Sequence, residues 1–100
     1  MQKRTKIKEL IATEPTGQEV VVKGWVRTFR NTQFISINDG STINNIQAVL
    51  NAGVTDDVTM KRITPGSCVG ITGTLIASLG KGQKVEVAVT SIEIYGDAES

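Results

Sequence analysis

Three side chains fall on the odd face of otherwise aliphatic runs, and together they have the chemistry of a surface that stacks on planar rings and hydrogen-bonds to their edges. In Phe34-Ile35-Ser36-Ile37 the ring lies opposite the two isoleucines. In Ile46-Gln47-Ala48-Val49-Leu50, Gln47 lies opposite Ile46, Ala48 and Leu50. In Lys84-Val85-Glu86-Val87-Ala88-Val89, Glu86 lies opposite the three valines. Side chains alternate along a strand, so each aliphatic set should face a core. That leaves an aromatic, a carboxamide and a carboxylate exposed, the combination that recognises unpaired nucleic-acid bases.

Phe34 can stack a splayed base, an interaction worth about 1–3 kcal/mol. The same ring could instead pack under a loop or under a leading helix. Gln47 offers a donor and an acceptor to a uracil or adenine edge. Alone it would be an ordinary surface glutamine; its weight comes from sharing a face with Phe34 on an adjacent strand. Glu86 can accept from guanine N1 and N2 or from a cytosine amino group. A carboxylate sits badly beside phosphates, so in a nucleic-acid site it implies base reading. Taken singly it reads as a solvated residue paired with Lys84 or Lys23.

Arg27 and Arg30 follow Trp25 on one strand and are placed to hold phosphates or stack on a base. Lys23, Lys81 and Lys84 are further candidates for RNA backbone contacts. Trp25 shares its parity with Arg27 and is read as a core residue at a bend, with an RNA contact as the alternative.

Other chemistry finds little support. The chain has no histidine, which removes His-based triads and His metal sites. Gly80-Lys81-Gly82 lacks the Lys-Ser/Thr that completes a P-loop, and reads as a mobile basic loop beside a groove. Asp39 is turn chemistry, and Asp56 and Asp57 open a helix, so no metal constellation forms. Ser36, Ser67 and Cys68 have no base beside them in sequence, which leaves nucleophilic catalysis without support.

The elements that must position these residues follow from the pattern. Thr5 to Thr13 predicts a short helix capped by Thr5, with Ile7, Leu10 and Ile11 in one stripe. Strands are predicted over Glu19–Arg30, Gln33–Asn38 and Ile46–Asn51. Asn31-Thr32 makes a tight turn, and Asp39-Gly40 begins the next hairpin connection. Thr55 to Ile63 predicts a helix with Thr55 as its cap and Lys61-Arg62 in its last turn. Two further strands are predicted over Ser67–Ala77 and Lys84–Tyr95. Gly24 and Gly73 inside long strands suggest the sharp bends of a closed barrel.

Three strands, a helix and two strands describe an all-β fold with short helices: a five-stranded OB-fold barrel preceded by an N-terminal helix, with a helix between strands 3 and 4. Residues 1–18 form the helix and connection, 19–96 the barrel, and 97–100 the start of a linker. At 100 residues this is one small domain. A net charge of +1 argues against a sequence-blind, strongly basic nucleic-acid binder. A lone Cys68 excludes a disulfide framework and suits a reducing, cytoplasmic compartment. No run is long enough to span a membrane.

The run Val22-Lys23-Gly24-Trp25-Val26-Arg27-Thr28-Phe29-Arg30 resembles the first strand of the anticodon-binding domain of class IIb aminoacyl-tRNA synthetases. Phe34, Asp39-Gly40-Ser41 and Ile46-Gln47-Ala48-Val49 resemble the segment that follows it. The long loop before Gln47 and the Gly80-Lys81-Gly82-Gln83 turn are more similar to the asparaginyl members than to the aspartyl ones. The resemblance implies that Phe34 stacks the central uridine of the anticodon and Gln47 reads it. It also implies that Glu86 contacts the first anticodon base, and that Arg27 matches the first-strand arginine. Phe29 departs from the basic residue often found at its position. It implies a tRNA(Asn) anticodon stem-loop as partner and no cofactor in this chain. ATP and Mg2+ would serve a catalytic domain of a homodimeric ligase. This chain lacks that domain's motifs and would be a monomeric fragment without catalysis. Rival readings are the same domain of an aspartyl enzyme, a free-standing single-strand binding module, and a protein-interaction barrel.

Overall fold

The computed structural model describes residues 4–78 and 84–97. The element order is α1 (Ile7–Leu10), β1 (Glu19–Arg30), β2 (Phe34–Asn38), β3 (Ile46–Val49), α2 (Asp57–Lys61), β4 (Cys68–Ala77) and β5 (Val85–Gly96). The strands close into a barrel in the order β1-β2-β3-β5-β4, with β4 returning to β1. Only β3 and β5 run parallel, and the other four pairings are antiparallel. The predicted fold class is the observed one, with both helices shorter than the sequence pattern suggested.

Closure depends on β1, which pairs with β4 through Glu19–Trp25 and with β2 through Trp25–Arg30. The strand must therefore turn from one side of the barrel to the other near Gly24. A Cβ at Gly24 would run into the Asn38 carbonyl and lie 3.1 Å from Ile37 Cγ2; one at Gly73 would meet the Ala88 carbonyl and lie 2.7 Å from Val87 Cγ1. Both glycines sit in the inner rows, where strands cross too closely for a side chain.

The core follows the valine and isoleucine alternation. Val20, Val22, Val26, Ile35, Ile37, Ile46, Ala48, Val69, Ile71, Leu75, Val85, Val87 and Val89 are all buried. Ile7 and Leu10 of α1 join the same cluster and plug one end of the barrel. In β5 the alternation breaks at Thr90, where the pairing with β4 shifts register. This bulge turns Ile92 and Ile94 back toward the core.

Two predicted helix caps are corrected. The residue before α1 is Lys6, with no capping side chain of its own, and the Thr5 N–H bonds instead to the Val21 carbonyl. The free N–H groups of α1 are taken by the β2–β3 loop. Ile7 N–H donates to Asp39 Oδ2 (2.9 Å) and Lys8 N–H to Ser41 Oγ (3.0 Å). Asp39 is thus a turn residue and, across more than thirty residues, a helix cap. In α2 the cap is Asp56 rather than Thr55, its carboxylate accepting from Thr59 N–H at 2.7 Å. A carboxylate is the stronger acceptor beside the positive end of a helix.

Partial burial alone would push the Asp39 carboxyl up. The hydrogen bonds from the Ser41 hydroxyl, Ile7 N–H and Ser41 N–H, with Arg4 nearby, outweigh it and hold the group below its ordinary value. A depressed carboxylate stabilises the fold above its unfolded pKa of about 3.9, and that contribution is lost as pH falls through the folded value. Asp39→Ala is expected to cost about 1–2 kcal/mol in denaturant unfolding near neutral pH. Below about pH 4 the difference between parent and variant should shrink. A pH-independent difference would show that the charge of Asp39 plays no part in the tie.

Candidate nucleic-acid interface

The pairing registers carry the outward residues of four strands into shared rows. Ser36 on β2 pairs with Thr28 on β1 and Gln47 on β3, and Gln47 pairs with Glu86 on β5. One step along, Phe34 pairs with Arg30 on β1 and Val49 on β3, and Val49 pairs with Ala88 on β5. The three residues singled out by their parity therefore lie on one continuous outer surface. Phe34 is half-buried, flanked by the aliphatic Val49 and the exposed Arg30. A half-exposed ring in this position has surface left for contact with another planar group.

Glu86 departs from expectation. It is only 8% exposed, and its Oε2 accepts a 3.0 Å hydrogen bond from Gln47 Nε2. Neither Lys84 nor Lys23 pairs with it. Lys84 Nζ bonds to Glu14 Oε1 at 2.6 Å, and Lys23 Nζ lies 5.6 Å from the Tyr95 ring centroid. A carboxylate in a closing sheet is shielded by the neighbouring strands, so Glu86 takes the donor directly across from it. That bond fixes the amide. One Nε2–H is committed to Glu86, and among the described residues Gln47 Oε1, its second N–H and Glu86 Oε1 have no further hydrogen-bond partner.

The β1 residues reach this surface through a bulge. Between Val26 and Thr28 the register with β2 shifts, so Arg27 and Thr28 both point outward while Phe29 turns in beside Ile35. Arg27 and Arg30 are exposed. The Asn31-Thr32 turn, with φ of 56° and 51°, brings β2 back at once and sets Phe34 opposite Arg30. Both central residues are left-handed, Gln33 N–H closes the turn on the Arg30 carbonyl, and Gln33 completes a three-residue connection.

Lys23 lies on the β1–β4 side of the barrel, opposite Gly70, and the structure does not bring it to the Phe34 rows. Lys81 falls outside the described residues. Trp25, read as core, is 39% exposed on the outer face. The bend at Gly24 turns the strand without changing its parity, so the ring keeps the outward side it shares with Arg27. Thr28 and Val49 were not foreseen as parts of the surface. For Val49 the signal was its parity with Gln47; for Thr28 none was readable, because the bulge that turns it outward leaves no mark in composition. Asn38 was also missed: its amide donates to Thr42 O, Asn44 O and Asn45 Oδ1, and its carbonyl accepts from Gly40 N–H, which shapes the whole β2–β3 loop. Among the described residues no cluster of His, Cys, Asp or Glu could hold a metal ion. No helix there is long and apolar enough to cross a membrane.

Residues 20–95 match the tRNA anticodon family, an OB-fold nucleic acid binding domain. The chain belongs to this family. Asparagine–tRNA ligase of Porphyromonas gingivalis is 48% identical over 100 residues, which cover 97% of this chain and 21% of that protein. The corresponding ligase of Bacteroides fragilis is 46% identical over the same shares. This anticodon-family barrel thus spans about a fifth of the length of these relatives. Asparaginyl-tRNA synthetase from Pyrococcus horikoshii superposes with a TM-score of 0.80 at 24% identity, covering 99% of this chain and 24% of that one, and supports the fold. A lysozyme-bound OBody, AM1L10, shares the barrel with a TM-score of 0.74 at 26% identity, over 97% of this chain and 98% of its own. The barrel alone does not dictate the ligand; the outward side chains do.

Glu86→Ala is expected to leave the barrel folded, to cost about 1 kcal/mol, and to free the Gln47 carboxamide. NMR of the Gln47 side-chain NH2 should then show faster motion and a loss of the shift difference between its two protons. Unchanged resonances would show that Glu86 does not hold the amide.

Proposed function

We propose that this chain reads the anticodon of tRNA(Asn) as the anticodon-binding part of an asparagine–tRNA ligase. The observation that carries the reading is the continuous Phe34, Gln47 and Glu86 surface in a barrel of the anticodon family. Relatives that are asparagine–tRNA ligases, matched over 97% of the chain, support the amino-acid assignment.

In this mechanism the anticodon bases unstack and the central uridine stacks on Phe34. Gln47 Oε1 accepts from uracil N3–H, and its free Nε2–H donates to a uracil carbonyl. Glu86 Oε1 accepts from N1–H or N2–H of the first-position guanine. Arg27 and Arg30 hold phosphates, with Lys81 and Lys84 as further backbone contacts. A cytosine at the centre presents an acceptor to Gln47 Oε1 and a second donor to its N–H, leaving half-buried polar groups unpaired. That mismatch, rather than bulk attraction, supplies discrimination. With a net charge of +1, non-specific affinity should be low and the salt dependence shallow. In the longer ligase a separate catalytic domain would use ATP and Mg2+ to attach asparagine, as a cytoplasmic homodimer. The barrel itself would bind RNA without catalysing.

A titration against two anticodon stem-loops tests this, one with the Asn anticodon and one altered only at the central uridine. The parent should prefer the first by about 1–3 kcal/mol. Phe34→Ala should weaken binding by about 1–3 kcal/mol, and Gln47→Ala should abolish the preference. Equal binding of both loops would replace this reading with a sequence-tolerant single-strand module. A loop altered at the third anticodon base separates asparaginyl from aspartyl specificity.

A further inference from the structure

Trp25 has no role in the anticodon contacts above, yet it stands on the same outer strand face. Along β1 the outward residues are Lys23, Trp25, Arg27, Thr28 and Arg30, all exposed. Trp25 pairs with Asn38 on β2 and Cys68 on β4, two small neighbours, and 39% of the residue stays exposed. Its Cζ-side edge rests over Gly40: a Cβ placed there would touch Trp25 Cη2 at 3.5 Å, so glycine supports the ring without covering it.

The support is rigid. Asn38 holds the loop from beneath through four hydrogen bonds. Asp39 and Ser41 tie the same loop to α1. The ring therefore meets a loop tied down by hydrogen bonds at its Cη2 edge and keeps 39% of its surface exposed. It stands on the strand that also presents Arg27 and Arg30, neither of which has an ion-pair partner among the described residues.

We propose that Trp25 is a second stacking platform, which takes an unpaired base of the anticodon loop outside the triplet, with Arg27 holding the phosphate between the two platforms. The proposal rests on the anticodon reading and extends it. Trp25 lies about 15 Å along β1 from Arg30, the cross-strand partner of Phe34. Such a span fits within the roughly 4–16 nucleotides that one OB fold can cover. The two platforms divide the work: Phe34 stands beside base-reading groups, whereas Trp25 has none and should accept any base.

Trp25 is the only tryptophan in the chain, so its emission reports this site directly. The experiment is a fluorescence titration with the Asn anticodon stem-loop and with loops made abasic at each position in turn. Emission should quench on binding, and one abasic position outside the triplet should remove the quench and weaken binding about 5- to 150-fold. Trp25→Ala, followed by anisotropy of a labelled loop, should weaken the intact loop by the same factor and become insensitive to that abasic position. Trp25→Phe should keep most of the affinity, which separates loss of stacking from loss of fold. Binding that keeps its preference for the central uridine, with emission unchanged by every loop, would overturn the proposal and leave the anticodon reading standing. Binding without that preference, or no binding, would overturn both.

Discussion

The passage of β1 through Gly24 is the constraint on which the rest depends. A single strand hydrogen-bonds to β4 on one side of the bend and to β2 on the other, and only that double pairing closes the barrel. The bend demands that the backbone of β1 pass against the Asn38 carbonyl, where no Cβ fits. Closure then removes sheet edges and forces a common inside and outside on all five strands. The β2–β3 and β3–β5 pairings make Phe34, Gln47 and Glu86 neighbours, and the passage of β1 sets Thr28 and Arg30 beside them.

The Gln47 and Glu86 side chains are held together without any ligand. Burial makes a free Glu86 carboxylate costly, and the Gln47 amide is the donor within reach. Their hydrogen bond lowers that cost and also chooses which way the amide points. With one side of the amide held by Glu86, the proposed reading has a base of the wrong donor pattern meet a carboxamide that is not free to flip. In the proposed reading, Phe34 would add affinity that is tolerant of base identity, and the amide–carboxylate pair would add the discrimination.

Local chain direction was readable where side-chain parity and turn chemistry agree. The limits of β1 coincide with the predicted strand, and the buried rows are the predicted aliphatic ones. Helix ends were less readable because their caps were chosen by competition among nearby acceptors. Asp56 displaces Thr55 since a charged acceptor binds an N–H more strongly than a hydroxyl does. No local rule could have found Asp39 as the cap of α1, because the donor and acceptor meet only after the barrel forms.

The sequence by itself determined the succession of strands along the chain, the aliphatic lining, and which face of each strand carries Phe34, Gln47 and Glu86, because strand breaks and parity along a strand are local properties of the backbone. Only the tertiary structure decided that Gln47 bonds to Glu86, that Lys23 turns to Tyr95, and that Trp25 stays outside the core. It also decided that a bulge swings Arg27 and Thr28 outward together. These outcomes depend on register between strands far apart in the chain and on how closely the strands pack at the bend. Such contacts are set by closing the barrel, and no stretch of sequence contains both partners.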